Sequence, residues 1–269
     1  MDRAARPVAF GEHLRHWRRQ RRLTQLALAL QSEVSARHLS WLEAGKSLPS
    51  RAMVLRLAEQ LQVPLRERNA WLVAAGYAPL YAERHLADPA LAAARQALEQ
   101  LLRAQEPNPA LAVDGQWNLV AANRMVMPLL QGVAPALLEP PVNVLRLALH
   151  PQGLAPSIGN LPAWRAHLLA RLERQIDASG SAALRTLAGE LRAYPGGTLA
   201  APSEEPDLLA PVALPLELHT PHGRLALIST VAVFGAPHDI VLAELAIESF
   251  YPADEASAAL LQALAARLT

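Results

Sequence analysis

Hydrophobic residues recur at helical spacing through the first 76 residues of the chain. Phe10, Leu14 and Trp17 stand at positions i, i+4 and i+7, which places them on one face of a helix. A similar stripe over residues 54–61 and three further short apolar segments predict five helices in all. Only residues 32–34 separate the second predicted helix from the third, and such a short turn is typical of a helix-turn-helix unit.

The third predicted helix begins after Ser35 and ends near Gly45, with an apolar back and a polar front. Such a helix suits the major groove of double-stranded DNA, where the fork of Arg37 matches guanine O6 and N7. The residues that we expect to contact DNA are Gln25, Ser35, Ala36, Arg37, His38, Ser40, Trp41, Lys46, Ser50 and Arg51. Trp41 either stacks on the sugar–phosphate backbone or packs on a neighbouring helix, and packing is favoured because an exposed tryptophan is uncommon.

Charge is distributed unevenly along the chain. Residues 1–76 hold 13 Lys and Arg against 6 Asp and Glu, whereas residues 77–269 hold 12 against 18. A basic first part followed by an acidic remainder favours two domains, the first with a polyanionic partner. The alternative is an arginine-rich surface that binds nothing.

The hydrophobic pattern changes to strands and longer helices after residue 107. Asp114-Gly115 stands between two alternating runs and predicts a hairpin. Residues 143–193 read as helices, and residues 211–219, 224–234 and 238–250 read as three strands. The order predicts an α+β, PAS-like domain with a five-stranded antiparallel sheet. The predicted limits are an all-α five-helix domain at 10–76, a linker or connecting helix at 77–106 and the α+β domain at 107–262.

Several classes of chemistry lack their usual sequence signals. The chain has no cysteine, which excludes disulfides, thiolate zinc sites and cysteine nucleophiles. We find no G-x-S-x-G, G-x-G-x-x-G, P-loop or H-E-x-x-H motif, and no pair of histidines at metal-binding spacing on one helix face. Glu204, Glu205 and Asp207 are typical of a solvated loop. We therefore expect no catalytic residues, no metal and no enzyme activity.

No uninterrupted apolar run approaches the ~18 residues of a membrane-spanning helix, and the first residues have no apolar signal core. The sequence predicts a cytoplasmic protein without a membrane partner.

The first 76 residues resemble the XRE-type (Cro/phage-repressor-like) helix-turn-helix regulators. The matching segments are Leu23-Thr24-Gln25, Leu28-Ala29, Val34-Ser35, Leu39-Ser40-Trp41-Leu42-Glu43-Ala44-Gly45-Lys46 and Pro49-Ser50. That family usually has glycine in the turn between the second and third helices, where this chain has Glu33. The resemblance implies sequence-specific DNA binding, and helix-turn-helix proteins commonly bind as dimers to two half-sites.

The remaining residues are similar to the MmyB-like ligand-binding domain found behind such helix-turn-helix domains. The matching segments are 117–123, 143–147, His150-Pro151, 153–156, Trp164-Arg165 and 248–254. This similarity implies a transcription regulator, expected to be a homodimer, that senses a small-molecule effector, apolar or fatty-acid-like, and needs no other cofactor. A DNA-binding anchor fused to an enzymatic or protein-interaction domain stays as the alternative.

A PAS-like cavity lies between sheet and helices, so this resemblance also suggests residues for an effector site. The residues expected to line it are Trp117, Met125, Met127, Leu147, Trp164, Leu168 and Phe234. Asn118, Asn123 and Arg146 are candidates to anchor a polar head group. For each lining residue the alternative is an ordinary core position, and Arg146 also suits a helix C-terminus or an ion pair.

Overall fold

The structure is a computed structural model that describes residues 9–195, 214–235 and 237–268. Internal contacts divide the chain into two compact units. The first unit comprises the residues up to Arg84 together with Pro237–Ala243, and the second comprises His85–Ala236 together with Glu244–Thr269. The predicted acidic loop at residues 204–207 and the first three residues of the strand predicted at 211–219 lie outside the described residues.

The first unit contains the five predicted helices, which confirms its all-α class. They are α1 (Phe10–Gln20), α2 (Gln25–Gln31), α3 (Ala36–Glu43), α4 (Arg51–Gln60) and α5 (Leu65–Ala74). Hydroxyl groups begin three of them: Thr24, Ser35 and Ser50 each accept a hydrogen bond from the backbone N–H three residues later. Such caps satisfy backbone donors that have no partner inside the helix.

The turn between α2 and α3 contains a residue whose backbone conformation is strained for any side chain other than that of glycine. Glu33 adopts φ 54°, in the left-handed region where glycine is usual. Val34 follows with its N–H bonded to the carbonyl of Ala29, which closes the turn. The helices pack around a fully buried apolar cluster that includes Leu28, Leu39 and Trp71.

The second unit contains the five described strands and five α-helices. These helices are α6 (Ala92–Ala104), α7 (Val144–Leu149), α8 (Leu161–Ser179), α9 (Ala182–Ala193) and α11 (Glu255–Arg267). A short α10 (Ile240–Glu244) belongs to the first unit except for its last residue. The strands are β1 (Ala110–Val113), β2 (Leu119–Ala122), β3 (Leu216–Thr220), β4 (Gly223–Val233) and β5 (Ala246–Pro252). No described helix is both long and apolar enough to span a membrane.

The five described strands form one antiparallel sheet, as predicted, and their order in the sheet is β2-β1-β5-β4-β3. The two faces of the sheet belong to different cores. Leu111 of β1 packs toward the cluster built with α8, α9 and α11, whereas Ala112 packs with Leu98 and Leu102 of α6. Neighbouring residues separate in this way because successive side chains of a strand point to opposite faces.

Two parts of the sequence prediction for this unit are wrong. The strand predicted at 238–250 is interrupted by helix α10, and β5 begins only at Ala246. Helix α11 was not predicted, although Asp254 accepts a hydrogen bond from the N–H of Ser257 and so caps it. The run 240–247 is continuously apolar apart from Glu244, and periodicity alone does not separate a strand from a buried helix there.

Candidate functional site

The front of helix α3 presents a surface of polar and aromatic side chains, here called the α3 surface. It consists of Ser35, Ala36, Arg37, His38, Ser40 and Trp41. His38 and Ser40 are half-buried, and the other four residues are exposed. The back of the helix is closed by Leu39 and Leu42, both with no exposed area. The helix therefore has the apolar back and hydrogen-bonding front that the sequence predicted.

Arg37 and Trp41 form a stacked pair one turn apart on the α3 surface. The guanidinium carbon of Arg37 lies 4.6 Å from the centre of the Trp41 ring. Trp41 remains 41% exposed, so the expectation that it packs on a neighbouring helix is wrong. The tryptophan forms a cation–π contact that restricts Arg37, and Arg37 itself remains exposed.

Three more predicted DNA-contacting residues lie beside this surface. Lys46, Ser50 and Arg51 are exposed in the loop after α3 and at the start of α4. The backbone N–H of Lys46 donates to the carbonyl of Trp41, which fixes the path of the loop. The Oγ atoms of Ser35 and Ser50 accept backbone hydrogen bonds as helix caps, and each hydroxyl keeps its own proton for an outside acceptor such as phosphate.

The buried carboxylate of Glu43 organises the side chains behind the α3 surface. Its side chain is 1% exposed and accepts from Arg18 Nε at 2.6 Å and from Arg18 Nη2 at 2.9 Å. Arg15 lies 3.6 Å away, and Gln25 Nε2 donates to Oε2 at 2.8 Å. One N–H of the Gln25 amide is thus used by Glu43, while the backbone N–H of Gln25 lies in the first turn of α2, where helix N–H groups can meet phosphate.

The ion pairs decide the protonation state of Glu43. Burial by itself raises the pKa of the Glu43 carboxyl. The hydrogen bonds from Arg18 and Gln25, and the charges of Arg18 and Arg15, outweigh burial and hold the pKa of Glu43 below its ordinary value. The carboxylate is therefore ionised at neutral pH. The sequence analysis missed this residue because nothing in the local pattern distinguishes a buried glutamate from an exposed one.

The second unit contains an apolar cavity of about 100 Å³ between the sheet and helices α7 and α8. Its wall includes Leu111 on β1, Leu145 on α7 and Phe250 on β5. Apart from Glu248, all of its described lining residues are apolar. An apolar cavity of this size is comparable with the engineered ~150 Å³ cavity that stays dry and admits benzene. The cavity is therefore suited to a small apolar molecule.

Four of the seven residues predicted to line a cavity do so: Trp117, Leu147, Trp164 and Leu168. The other three do not. Met125 is buried in the core nearby, Met127 is 65% exposed, and Phe234 packs against the cluster that includes α6. Phe234 was misplaced because it follows the end of β4, where the strand alternation no longer defines which face a side chain occupies.

The three residues predicted to anchor a head group are engaged elsewhere. Asn118 Nδ2 donates to Asp114 Oδ2, and Asn123 bonds only to backbone groups, among them the carbonyl of Leu102. Arg146 pairs with Glu190, from Nη2 to Oε2 at 2.8 Å. None of the three is on the cavity wall. Their residue types suggested that they would bind a polar head group, but their polar atoms form hydrogen bonds and an ion pair within the second unit.

Trp117 joins the cavity to a strained turn. It adopts φ 67°, an unusual value for a bulky side chain, in a loop whose N–H groups bond to the Asp114 carboxylate. Its Nε1 donates to Gln175 Oε1 at 2.7 Å, so the indole is held against α8 with its ring on the cavity wall. Strain of this kind occurs at binding sites because the surrounding contacts over-determine the position of the residue.

Glu248 is the polar element of the cavity that the sequence analysis did not single out. Its Oε1 accepts from Arg171 Nη1 at 2.7 Å, and the side chains are 6% and 19% exposed. Arg171 in turn lies over the Trp117 ring, 4.5 Å from its centre. A signal was present: Glu248 stands two residues before Phe250 on one strand, so both point to the same face of the sheet.

The described residues also bear on metal binding and on histidine protonation. Within it, no three His, Asp or Glu side chains lie close enough together to hold a metal ion. His167 stacks on Trp164 beside the cavity, and burial together with the charges of Arg171 and Arg174 lowers the pKa of His167. Neutral imidazole is therefore its state at neutral pH.

Comparison with known families agrees with the two-part reading of the chain. Residues 94–264 match the model of the MmyB-like transcription regulator ligand binding domain, and residues 9–71 match a helix-turn-helix domain. A search of curated proteins finds no match to this chain. The resemblance drawn from the sequence motifs is confirmed by both matches.

Proposed function

The chain belongs to the MmyB-like transcription regulators and is a DNA-binding regulator with a ligand-binding domain, and we propose that it reads its operator with the α3 surface and responds to a small apolar or fatty-acid-like effector in the cavity. The protein acts as a homodimer in the cytoplasm. Occupation of the cavity changes the affinity for the operator.

The observation that carries the DNA-binding part of this proposal is the stacked pair of Arg37 and Trp41. A guanidinium on an exposed helix front, restricted by an aromatic ring, loses less freedom when it forms two hydrogen bonds to guanine. Lys46 and Arg51 flank it and supply charge for phosphate contacts that position the helix.

The observation that carries the sensing part is the apolar cavity in the second unit. Lining by leucine, valine and tryptophan side chains favours an alkyl chain or a ring over a polar metabolite. The polar atoms of Asn118, Asn123 and Arg146 bond within the protein, which leaves burial of apolar surface as the main source of affinity.

The DNA contacts are tested by binding measurements on a selected operator. The operator is first selected from random DNA with the full chain, and its affinity is then measured by fluorescence anisotropy beside that of scrambled DNA. Arg37→Ala is expected to weaken operator binding by ~1–3 kcal/mol with a smaller loss on scrambled DNA. Lys46→Ala is expected to weaken both equally and to lower the salt slope by about one.

Arg103→Ala is the matched control, because Arg103 is an exposed arginine of α6 whose one described ion pair is with Glu99 on the same helix. It removes the same charge from the second unit and should leave both affinities unchanged. Equal losses from Arg37→Ala on operator and scrambled DNA would reduce Arg37 to a phosphate contact and contradict the proposed base readout.

The sensing function is tested by native mass spectrometry of the purified chain before and after mild organic extraction. A reproducible extra mass that extraction removes, and that restores the original operator affinity when added back, would support an effector. The same spectra report whether the chain is a dimer. Chemical turnover of the extracted molecule would instead favour an enzyme joined to a DNA-binding anchor.

A further inference from the structure

The cavity wall has one charged group with free hydrogen-bonding capacity, and we propose that the effector carries a neutral hydroxyl that donates a hydrogen bond to Glu248. This inference rests on the proposed sensing function and narrows its apolar or fatty-acid-like effector to an apolar alcohol or phenol. An ionised carboxylate, such as that of a fatty acid, is excluded from this end of the cavity.

Glu248 is placed by the sheet so that its side chain faces the cavity. Glu248 lies on β5, between β1 and β4. In the antiparallel register it is paired with Leu111 of β1 and with Val231 of β4. Leu111 and Phe250 on the same face also line the cavity. The position is central in the sheet, the side chain is 6% exposed, and the backbone on both sides is hydrogen-bonded, so the carboxylate has little freedom to turn to solvent.

Only one of the two carboxylate oxygens of Glu248 is in use. Oε1 accepts from Arg171, whereas no described residue donates to Oε2. An ionised carboxylate has room for about four hydrogen bonds, and Arg171 supplies one of them. A ligand that donates to Oε2 therefore gains a hydrogen bond to a charged acceptor at a position that the protein itself leaves open.

Arg171 does not offer the complementary site for an anionic ligand. Its guanidinium is held between Oε1 of Glu248 and the face of the Trp117 ring, and Arg171 is not on the cavity wall. A carboxylate has no hydrogen to donate to Oε2, and its charge would be added to a wall where Arg171 already neutralises Glu248. Burying such an uncompensated charge is costly, so the site selects against anions.

A cationic head group is also disfavoured, because Arg171 already neutralises Glu248. An ammonium ion would add an uncompensated charge to a wall that is otherwise apolar, and burying such a charge is costly. A hydroxyl brings a donor without a net charge. A hydrogen bond to a charged group improves binding roughly ten- to 150-fold over the same molecule without the donor.

The test compares four probes of similar length on the full chain at neutral pH: 1-octanol, heptyl methyl ether, octanoate and octylamine. The ether has the size of the alcohol and lacks only the donor. Isothermal titration calorimetry is expected to show 1-octanol binding at least about ten-fold more tightly than the ether, with octanoate and octylamine weaker than 1-octanol.

Glu248→Gln supplies a second measurement. Its amide carbonyl replaces the acceptor for Arg171, and its NH₂ group then faces the cavity as a donor. The preference for 1-octanol over the ether should therefore fall to about one-fold. Glu190→Gln is the matched control, since Glu190 also pairs with an arginine but lies off the cavity wall, and it should keep the wild-type preference. If Glu248→Gln does not fold, the wild-type preference decides.

The outcomes separate this inference from the proposed function. Equal affinity for alcohol and ether, or tighter binding of octanoate, would overturn the hydroxyl assignment while supporting a sensor of apolar molecules. Tighter binding of octylamine would also overturn it. Failure of all four probes to bind would contradict the proposed sensing function, and the hydroxyl assignment would fall with it.

Discussion

Glu43→Gln tests how far the DNA-binding unit depends on one buried carboxylate. The substitution keeps the size of the side chain and removes its charge. In the wild-type chain both carboxylate oxygens accept from Arg18, and Oε2 also accepts from Gln25. A glutamine has one acceptor oxygen for these donors and turns an NH₂ group toward the guanidinium.

The expected loss of stability follows from burial of both partners. The side chain of Glu43 is 1% exposed and that of Arg18 is 11% exposed, so the substitution leaves a largely buried arginine without its counter-ion. Removing one partner of a buried pair costs about 3–5 kcal/mol. That is a large share of the roughly 5–15 kcal/mol by which a typical domain is stable. We therefore expect the first unit to unfold at much lower denaturant concentration.

Hydrogen exchange followed by mass spectrometry reads the two units separately in one experiment. Peptides from α1–α5 should lose protection, whereas peptides from β1 and α8 in the second unit serve as an internal reference. Glu59→Gln on the exposed face of α4 removes the same charge without a described partner and should change little. A loss below about 1 kcal/mol for Glu43→Gln would place it among ordinary surface substitutions and refute the argument.

The same pair predicts a pH dependence with a definite sign. The pKa of Glu43 lies below its ordinary value of 4.5, because the ion pairs and hydrogen bonds outweigh burial. The stabilisation is therefore complete above the pKa of the unfolded chain and is lost as the pH falls through the lower, folded pKa. The stability difference between the wild-type chain and Glu43→Gln should be constant at neutral pH and shrink in acid. A constant difference down to the acid transition would contradict this.

The remaining predictions concern backbone conformation and close packing. Glu33→Gly should raise the stability of the first unit by up to ~1 kcal/mol in urea unfolding, because φ 54° is strained for glutamate. A loss of stability would show that interactions of the Glu33 side chain stabilise the unit by more than the backbone strain destabilises it. Gly11→Ala should destabilise by ~1–3 kcal/mol, since its Cβ would lie 2.5 Å from the carbonyl oxygen of Leu42. Gly189→Ala is the control, with nothing within 4 Å of its Cβ, and should stabilise α9 by about 1 kcal/mol.

Local patterns sufficed for the first unit because its helices are short and individually signalled. Thr24, Ser35 and Ser50 begin helices by capping them, and these caps are visible in the sequence. The position of Glu43 was not visible. Its partner Arg18 lies 25 residues earlier, on another helix. Long-range pairing of charges leaves no periodic signal, so it emerges only when the helices are packed.

The cavity was predicted in kind but only partly in its residues. Four of the seven residues named from the resemblance, Trp117, Leu147, Trp164 and Leu168, lie on its wall. Arg146 was assigned to a head group on residue type alone. On α7 it points away from the cavity to Glu190. Which side of a short helix faces a cavity depends on packing with distant segments, and six residues of sequence do not fix it.

Each unit contains a buried glutamate, Glu43 in the first and Glu248 in the second. The number of carboxylate hydrogen bonds that the protein itself supplies distinguishes a structural role from a binding role. Glu43 is engaged within the protein at both oxygens: Arg18 donates to each of them, and Gln25 adds a third donor. Glu248 is paired by the same chemistry, yet Arg171 engages only Oε1. The Oε2 atom of an ionised carboxylate can also accept a hydrogen bond, so Glu248 keeps an acceptor that a ligand donor can engage. The same residue type therefore supports the α3 surface in one unit and keeps a carboxylate acceptor on the cavity wall in the other.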